Sequence, residues 1–516
     1  MKNLNNFYNF KNTVRHFINI EHFSFPDMFS DLNKKKAKEI VDWTIPIRFR
    51  IRKDNSYRII QIPNILNFYY SFNYYSDIEN FEHIEKLDSH SKLKPDLSTG
   101  DFCSNIYNEQ INKELNLLCI YDNLIKLDIK SFYDSIYTHK IKFKGKEDIL
   151  NNMNAGKTSG MIMGNYISLY FAESYLKDVS DLLEEEFNKK NIKCEFYHFS
   201  DDFYFFCNKS DNNDIKNIFC KILEKCELKI NNNKEEIFTY LDYDHHHILN
   251  RYWRSIISES TKRYNDSSYN NNLYFLNQLI YKLINIPDNK NRKTFLNVFF
   301  KSRFFQKLSA DKYTIEDYNF HKICYIYQFS PETILYSLDK FKSINANYFK
   351  SDIFKTFLKV NYEKSLDTLF HDEQLYYYYA IKKLNFDDIL HNTKNLVINS
   401  SNQILISYYL RDRIFDEKEI EVLKSEEYKD EKYWMQNYHL ILYDKKLFEN
   451  LNNSIEDYLI PNNLRKSRTS PSKKYTLYLN FYKDNLDLKR SFINNIDNVS
   501  KAIKTYLELK YPNEIY

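Results

Sequence analysis

Phe196-Tyr197-His198-Phe199-Ser200-Asp201-Asp202-Phe203-Tyr204-Phe205-Phe206 places two adjacent carboxylates in the middle of an otherwise almost wholly aromatic stretch. A buried carboxylate without a partner is costly enough that it normally takes up a proton instead. Two of them, inside what reads as a buried strand pair, call for a cation to meet them. The pattern predicts an aromatic strand, a tight turn carrying Asp201 and Asp202, and an aromatic strand running back.

Metal-assisted phosphoryl transfer with two ions needs carboxylates that converge on cations about 3.5–4 Å apart. One turn cannot easily supply them all, so a second strand should end in an aspartate. Leu124-Ile125-Lys126-Leu127-Asp128 does so, and Phe132 onward reads as helix. The interval between Asp128 and Asp201 leaves room for a helix-containing crossover, for which Ile167–Phe187 supplies an amphipathic pattern. Asp128 could equally cap a helix, a place aspartate favours; the Asp-Asp turn decides for the catalytic reading. Mg2+, with Mn2+ as a substitute, prefers few protein carboxylates plus substrate phosphates, which suits a set of this size. All five glycines (Gly100, Gly145, Gly156, Gly160, Gly164) fall before the Asp-Asp turn, so the need for unusual backbone or close approach is concentrated there.

Upstream, Ile45–Arg52 and Tyr57–Pro63 alternate apolar and basic residues, as a hairpin with one cationic face does. Residues 1–40 read as helical and peripheral, and 214–228 as a further helix. Beyond about residue 250 strand signals fade. Helical patterns such as Pro331–Phe341, Ser351–Val360, Asp372–Leu384 and Glu417–Leu423 suggest packed helical pairs like those of a solenoid. Arg465-Lys466-Ser467-Arg468, with Lys473 and Lys474, reads as a solvated basic loop, and His245-His246-His247 as a solvated polar run rather than a metal site.

At 516 residues two or more cores are expected. The net charge of +4 confines any nucleic-acid site to a local groove. The 46 tyrosines and 40 phenylalanines fit biased base composition and packing better than a dedicated stacking surface. Seven scattered cysteines, with no C-x-x-C, argue against a disulfide framework or zinc site and for a reducing compartment. No signal peptide or run of roughly 20 apolar residues is present, so a cytoplasmic protein with no membrane segment is expected.

Together these segments resemble the motifs of reverse transcriptases over roughly residues 40–240. Asp128 with Phe132-Tyr133 resembles motif A, Gly160-Met161-Ile162-Met163-Gly164-Asn165 with Ser168 motif B, Phe199-Ser200-Asp201-Asp202 motif C, and Asn233-Lys234 the lysine-bearing motif D. Arg58–Asn64 with Tyr69-Tyr70 resembles a finger segment. Asp128–His139, and Gly160–Asn165 leading to Ala172-Glu173, resemble most the bacterial abortive-infection (Abi) group, prophage-type phage-defence polymerases.

The resemblance implies an α+β fold. Residues 1–245 would form fingers and palm, and residues 246–516 an all-α, HEAT-like helical-repeat domain in place of a thumb. It implies template-independent, protein-primed synthesis of DNA from dNTPs. The product would be single-stranded, attached covalently to a homo-oligomeric enzyme. By the same resemblance, Asp128, the Ile129 carbonyl and Asp201 are metal ligands with Asp202 in support. Tyr133, beside Phe132, is the gate against a ribose 2′-OH. Gly160, Gly164 and Asn165 border the incoming nucleotide, Arg58 holds its triphosphate, and Lys234 gives a proton to pyrophosphate. Ile162, Met163 and Phe199 depart from the commoner motif residues, as expected where no template is read. Tyr8 is the candidate priming hydroxyl, on the ground that termini are often mobile. Two alternatives stay open: an RNA-templated reverse transcriptase with a partner RNA, and a helical scaffold with a relic palm.

Overall fold

A computed structural model describes residues 3–26, 40–53, 56–103, 106–141, 147–247, 275–307, 319–465 and 472–510. Gly145 and Lys466–Arg468 lie outside the described residues.

Strands β1 (Ile47–Lys53) and β2 (Ser56–Ile62) form the expected hairpin, with Phe49 facing Ile60 and Arg48 facing Gln61. A short ladder of β3 (Pro95–Asp96) and β4 (Asp101–Phe102) follows. β5 (Asn123–Asp128), β6 (Cys194–Phe199), β7 (Asp202–Cys207) and β8 (Glu236–Phe238) make an antiparallel sheet in the order β6–β7–β5–β8. Strand alternation sorts its faces. Ile125, Leu127, Phe203, Phe205 and Phe196 point to one side, where the helices Tyr166–Lys190 and Asn212–Lys225 cover them through Phe187 and Phe219. The other side carries Asp128, Lys126, Asp202 and Tyr204. Its far end, at Leu124, Tyr197 and Phe206, is roofed by Ile111, Leu115 and Leu118, two of them on the helix Ile106–Leu117. The carboxylate end is left uncovered by that helix.

Residues 275–510, where described, are helical with no strand. The helices Asp352–Leu366 and His371–Lys383 pack together, as do Gln403–Arg411 with Trp434–Tyr443. The four helical patterns expected beyond residue 331 are all helices, with bounds shifted by a few residues. One apolar cluster runs from Phe7 through the sheet to Leu507. Several helices close on a non-glycine residue in the left-handed region: Asn191 (φ 52), Glu227 (φ 57), Asn385 (φ 59), Arg413 (φ 53) and Lys489 (φ 52). The next amide then bonds back into the helix, as Leu228 N–H does to Leu223 O (2.8 Å) and Ile414 N–H to Tyr409 O (3.0 Å).

Expectations are corrected at the amino terminus, in the basic loop and in the histidine run. The amino-terminal segment is not peripheral: Phe7, Tyr8, Phe10, Phe17 and Ile18 are buried, and Ile18 bridges to Ile493. So many large apolar groups cannot stay in water when a helical face is at hand. The cationic residues of β1 divide: Arg48 and Lys53 are exposed, whereas Arg52 pairs with Glu373 (2.6 Å) and Arg50 Nη1 lies 3.3 Å from His371 Nε2. In the expected basic loop, Arg465 donates to the carbonyls of Ile460 (2.6 Å) and Lys429 (2.5 Å) instead of facing solvent. His247 likewise is buried, its ring 4.4 Å from that of Tyr243.

Candidate active site

Pairing of Phe199 with Asp202 leaves Ser200 and Asp201 as a two-residue loop, with Ser200 left-handed at φ 51. A side chain there costs roughly 1–2 kcal/mol, so something must hold it. His198 does: its Nδ1 lies 3.2 Å from the Ser200 carbonyl, and its Nε2 lies 3.0 Å from the buried Asp88 carboxylate.

Register then brings the acidic groups together. Asp128, at the end of β5, pairs directly with Asp202 of β7, and Ile129 N–H donates to Asp201 O at 3.0 Å. Residues 229–231 run antiparallel along the continuation of β5: Lys130 N–H reaches Lys229 O (2.8 Å), and Asn231 N–H reaches Asp128 O (2.8 Å). Asn231 also donates its side-chain amide to Asp128 Oδ1 (2.8 Å), while Lys234 pairs with Oδ2. Asp128 is 2% exposed, so these two donors are what offset the cost of its burial. Lys126, between Asp128 and Leu124 on the same face, lies 3.9 Å from Asp202 and 3.8 Å from Glu236.

Burial, followed by the Asp128 charge, pushes the Asp201 carboxyl above its ordinary value, against the pull of Lys234 and Arg58. Burial raises Asp202 as well; Lys126 opposes it, and Asp201 and Asp128 add to it. Carboxylates that resist ionising because they are buried, and then because they crowd one another, are what a bound cation would relieve.

A cavity of about 650 Å³ opens beside them. Arg58, Asp128, Ile129, Phe132, Tyr133, Gly160, Asp201 and Lys234, all singled out from the sequence, line it. So do Arg48, Lys53, Lys130 and Lys157, which makes six cations against the carboxylates of Asp128, Asp134 and Asp201. Tyr133 is half-buried, and its carbonyl accepts from Met161 N–H (2.8 Å), which fastens the Gly160–Gly164 segment to the helix that follows Asp128. Burial raises the Tyr133 phenol, with Glu173 and Asp201 adding to it, so it stays neutral.

Gly164 and Asn165 do not line this cavity. Gly164 (φ 114) makes room for β2: a Cβ there would stand 2.1 Å from Ile60 Cγ2. Asn165 caps the helix Tyr166–Lys190, accepting from Ser168 N–H at 3.0 Å. Tyr8 is buried, its hydroxyl donating to Pro63 O at 2.7 Å, so the mobile arm that made it a priming candidate does not exist here. Asn231 and His198 were missed as site residues. Asn231 lies in the Asn231-Asn232-Asn233 run, whose composition says turn and no more.

Among the described residues no three His, Cys, Asp or Glu side chains form a ready-made metal cage. Asp128, Asp201 and Asp202 are adjacent by register, with the carboxyls of Asp201 and Asp202 raised, and they fit Mg2+ ions that bring phosphate and water ligands with them.

No family model matches the chain, and no curated protein matches it. Apo telomerase from Candida tropicalis aligns at 14% identity and TM-score 0.29, over 71% of this chain and 68% of that one. Telomerase from Candida albicans, in complex with the TWJ fragment of telomeric RNA, aligns at 11% identity and TM-score 0.30, over 75% of this chain and 64% of that one. At such scores the likeness carries no functional argument.

Proposed function

We propose that the protein is a Mg2+-dependent polymerase of reverse-transcriptase type that joins deoxynucleotides. The observation that carries this reading is the register pairing of Asp128 with the Asp201-Asp202 turn, at the edge of a cavity ringed by six cations. Asp128, Asp201 and the Ile129 carbonyl, with Asp202 in support, would hold two Mg2+ ions, which when bound neutralise phosphate charge and sharpen the attacking hydroxyl. Arg58 clamps the triphosphate through its planar fork of donors. The Tyr133 ring walls the sugar and excludes a 2′-OH. Lys234, already at the site, gives a proton to the departing pyrophosphate.

The finer reading follows the resemblance to the Abi group: untemplated synthesis primed by a protein hydroxyl, in a cytoplasmic homo-oligomer that aborts phage infection. Here the primer is a tyrosine other than Tyr8. Purified protein given dNTPs and Mg2+, with no template or primer, should form DNA that stays with the protein through denaturation and is freed by protease. Synthesis only on added RNA would replace this with the templated reading. Asp201→Asn should abolish incorporation while leaving the melting temperature equal or higher, since it removes a crowded charge. Retained incorporation by Asp201→Asn would refute the metal assignment, whereas a wild-type protein that incorporates nothing with or without added RNA would leave the relic-palm scaffold as the better account.

A further inference from the structure

A second cavity, of about 210 Å³, lies where β1 meets the helices Asn289–Lys301, Thr333–Ile344 and His371–Lys383. Lys53, at the end of β1, lines both this cavity and the catalytic one. The two spaces therefore adjoin, and Lys290 faces the second from the first turn of its helix.

The charges in the second cavity do not cancel. Glu373 is taken by Arg52 (2.6 Å), and Glu332 by Lys301 (2.9 Å) and Asn297 (2.8 Å). Asp372 accepts from Arg52 N–H at 3.1 Å. Its buried carboxyl is pushed up to about 7, by burial first and then by Glu373, so it keeps its proton more readily than an ordinary carboxylate. Lys53 and Lys290 are exposed, and among the described residues neither ammonium has a carboxylate within salt-bridge distance. Partial burial, then Arg58, Lys234 and Lys290, push the Lys53 ammonium down. Two ammonium groups that line one space, neither in a salt bridge and with Lys53 drawn only at a distance by Asp128, are arranged for an anion that is not part of the chain.

We propose that this seam binds the phosphodiester backbone of a single-stranded nucleic acid, which leaves the catalytic cavity past Lys53 and is held next by Lys290. The proposal rests on the polymerase reading for the source of the strand. The space suits a phosphate group with its waters, whereas a free pyrophosphate would need no path continuing beyond the catalytic cavity.

The test uses the full chain and a short fluorescent oligodeoxythymidine, followed by anisotropy from about 50 to 200 mM salt, where each lost phosphate contact on a single strand lowers the log–log slope by about 0.7. Lys290→Glu should weaken binding about tenfold and reduce the slope by one such contact. Lys445→Glu, at a lysine 90% exposed on another helix, should change neither by as much. Addition of the first nucleotide should be unchanged in Lys290→Glu. Equal binding by wild type, Lys290→Glu and Lys445→Glu overturns the track. So does competition by inorganic pyrophosphate as effective as that by unlabelled oligomer, which would assign the seam to free phosphate. The two readings fail separately. Normal nucleotide addition with Lys290-independent binding sinks the track alone, and Lys290-dependent binding by an enzyme that adds no nucleotide sinks the polymerase reading alone.

Discussion

Asn231 holds the residue on which the proposed chemistry depends. It grips Asp128 by main chain and side chain, at 2.8 Å each. Asn231→Ala removes the side-chain bond and leaves one oxygen of a buried carboxylate unmet, at a cost of about 1–3 kcal/mol. Nucleotide incorporation should fall roughly tenfold or more, with a higher Mg2+ requirement and little change in dNTP KM; an unchanged Mg2+ titration would show that Asn231 does not position Asp128. Asp128 and the Asp201-Asp202 turn were legible in the sequence because each is a local anomaly, an acid ending an apolar run. Asn231 was not, since its partner lies 103 residues away and asparagine is common at turns. The depth at which other carboxyls are buried was equally hidden. Burial pushes Glu114 and Glu173 up to about 7 each. A raised carboxyl pKa means the folded state holds its proton longer than the unfolded chain does. The stability it gives is therefore complete below about pH 4.5 and is lost as pH climbs toward 7. Buried His16, His371 and His439, held below the usual imidazole value by burial, act in the opposite sense up to about pH 6.5, so the carboxyl contribution is read as a difference between variants of the change in melting temperature from pH 5 to pH 7.5. Wild type should lose more, or gain less, over that range than Glu114→Gln, which still accepts from Tyr197, and identical slopes would remove Glu114 from the account.

The β1–β2 hairpin was legible from its alternation, and its arginines were recognised as cationic. What local pattern could not supply was their division of labour. Arg48 and Arg58 turn to the cavity, while Arg50 and Arg52 are claimed by a helix more than three hundred residues later. The Gly160–Gly164 segment was read as a nucleotide border, and only Gly160 of its two glycines meets the cavity. Gly164 instead sets how near β2 can come. Gly164→Ala should destabilise by more than about 2 kcal/mol, from both the clash with Ile60 and the left-handed backbone. Ile60→Ala in the same chain should recover only part of the loss, measured by denaturant midpoint. Full recovery would mean that the backbone angle costs nothing.

The resemblance divides the chain between residues 245 and 246, near where strand signals fade, and the chain on either side is joined more closely than that change in texture suggests. Asn64 donates to Tyr482 (2.7 Å), and Tyr478 OH donates to Asn67 Oδ1 (2.5 Å). Arg15, Tyr506 and Lys510 all converge on Asp101. Burial alone would raise the Asp101 carboxyl, but Arg15 and Lys510 hold it well below the usual carboxylate range. Residues 1–247 produced alone should thus lack a cooperative melt and bind apolar dyes, and co-production with residues 248–516 should restore both solubility and the melt. A sharp transition in the isolated piece would establish two independent domains.

The left-handed helix ends at Glu227, Arg413 and Lys489 bear on how this protein can evolve. Each holds a side chain where glycine would sit with less strain, a difference of about 0.5–1 kcal/mol after glycine's greater freedom in the unfolded chain is counted. Glycine is kept where a Cβ would strike a neighbour, as at Gly156 against Trp43 and Gly164 against Ile60. A lineage under a bias against glycine codons would leave such a record. Such a bias would surrender the residue at helix ends, where its loss is tolerable, and retain it where a Cβ has no room, as at Gly156 and Gly164. The surrendered positions form a reserve of adaptive steps toward higher temperature, none of which lines the catalytic cavity.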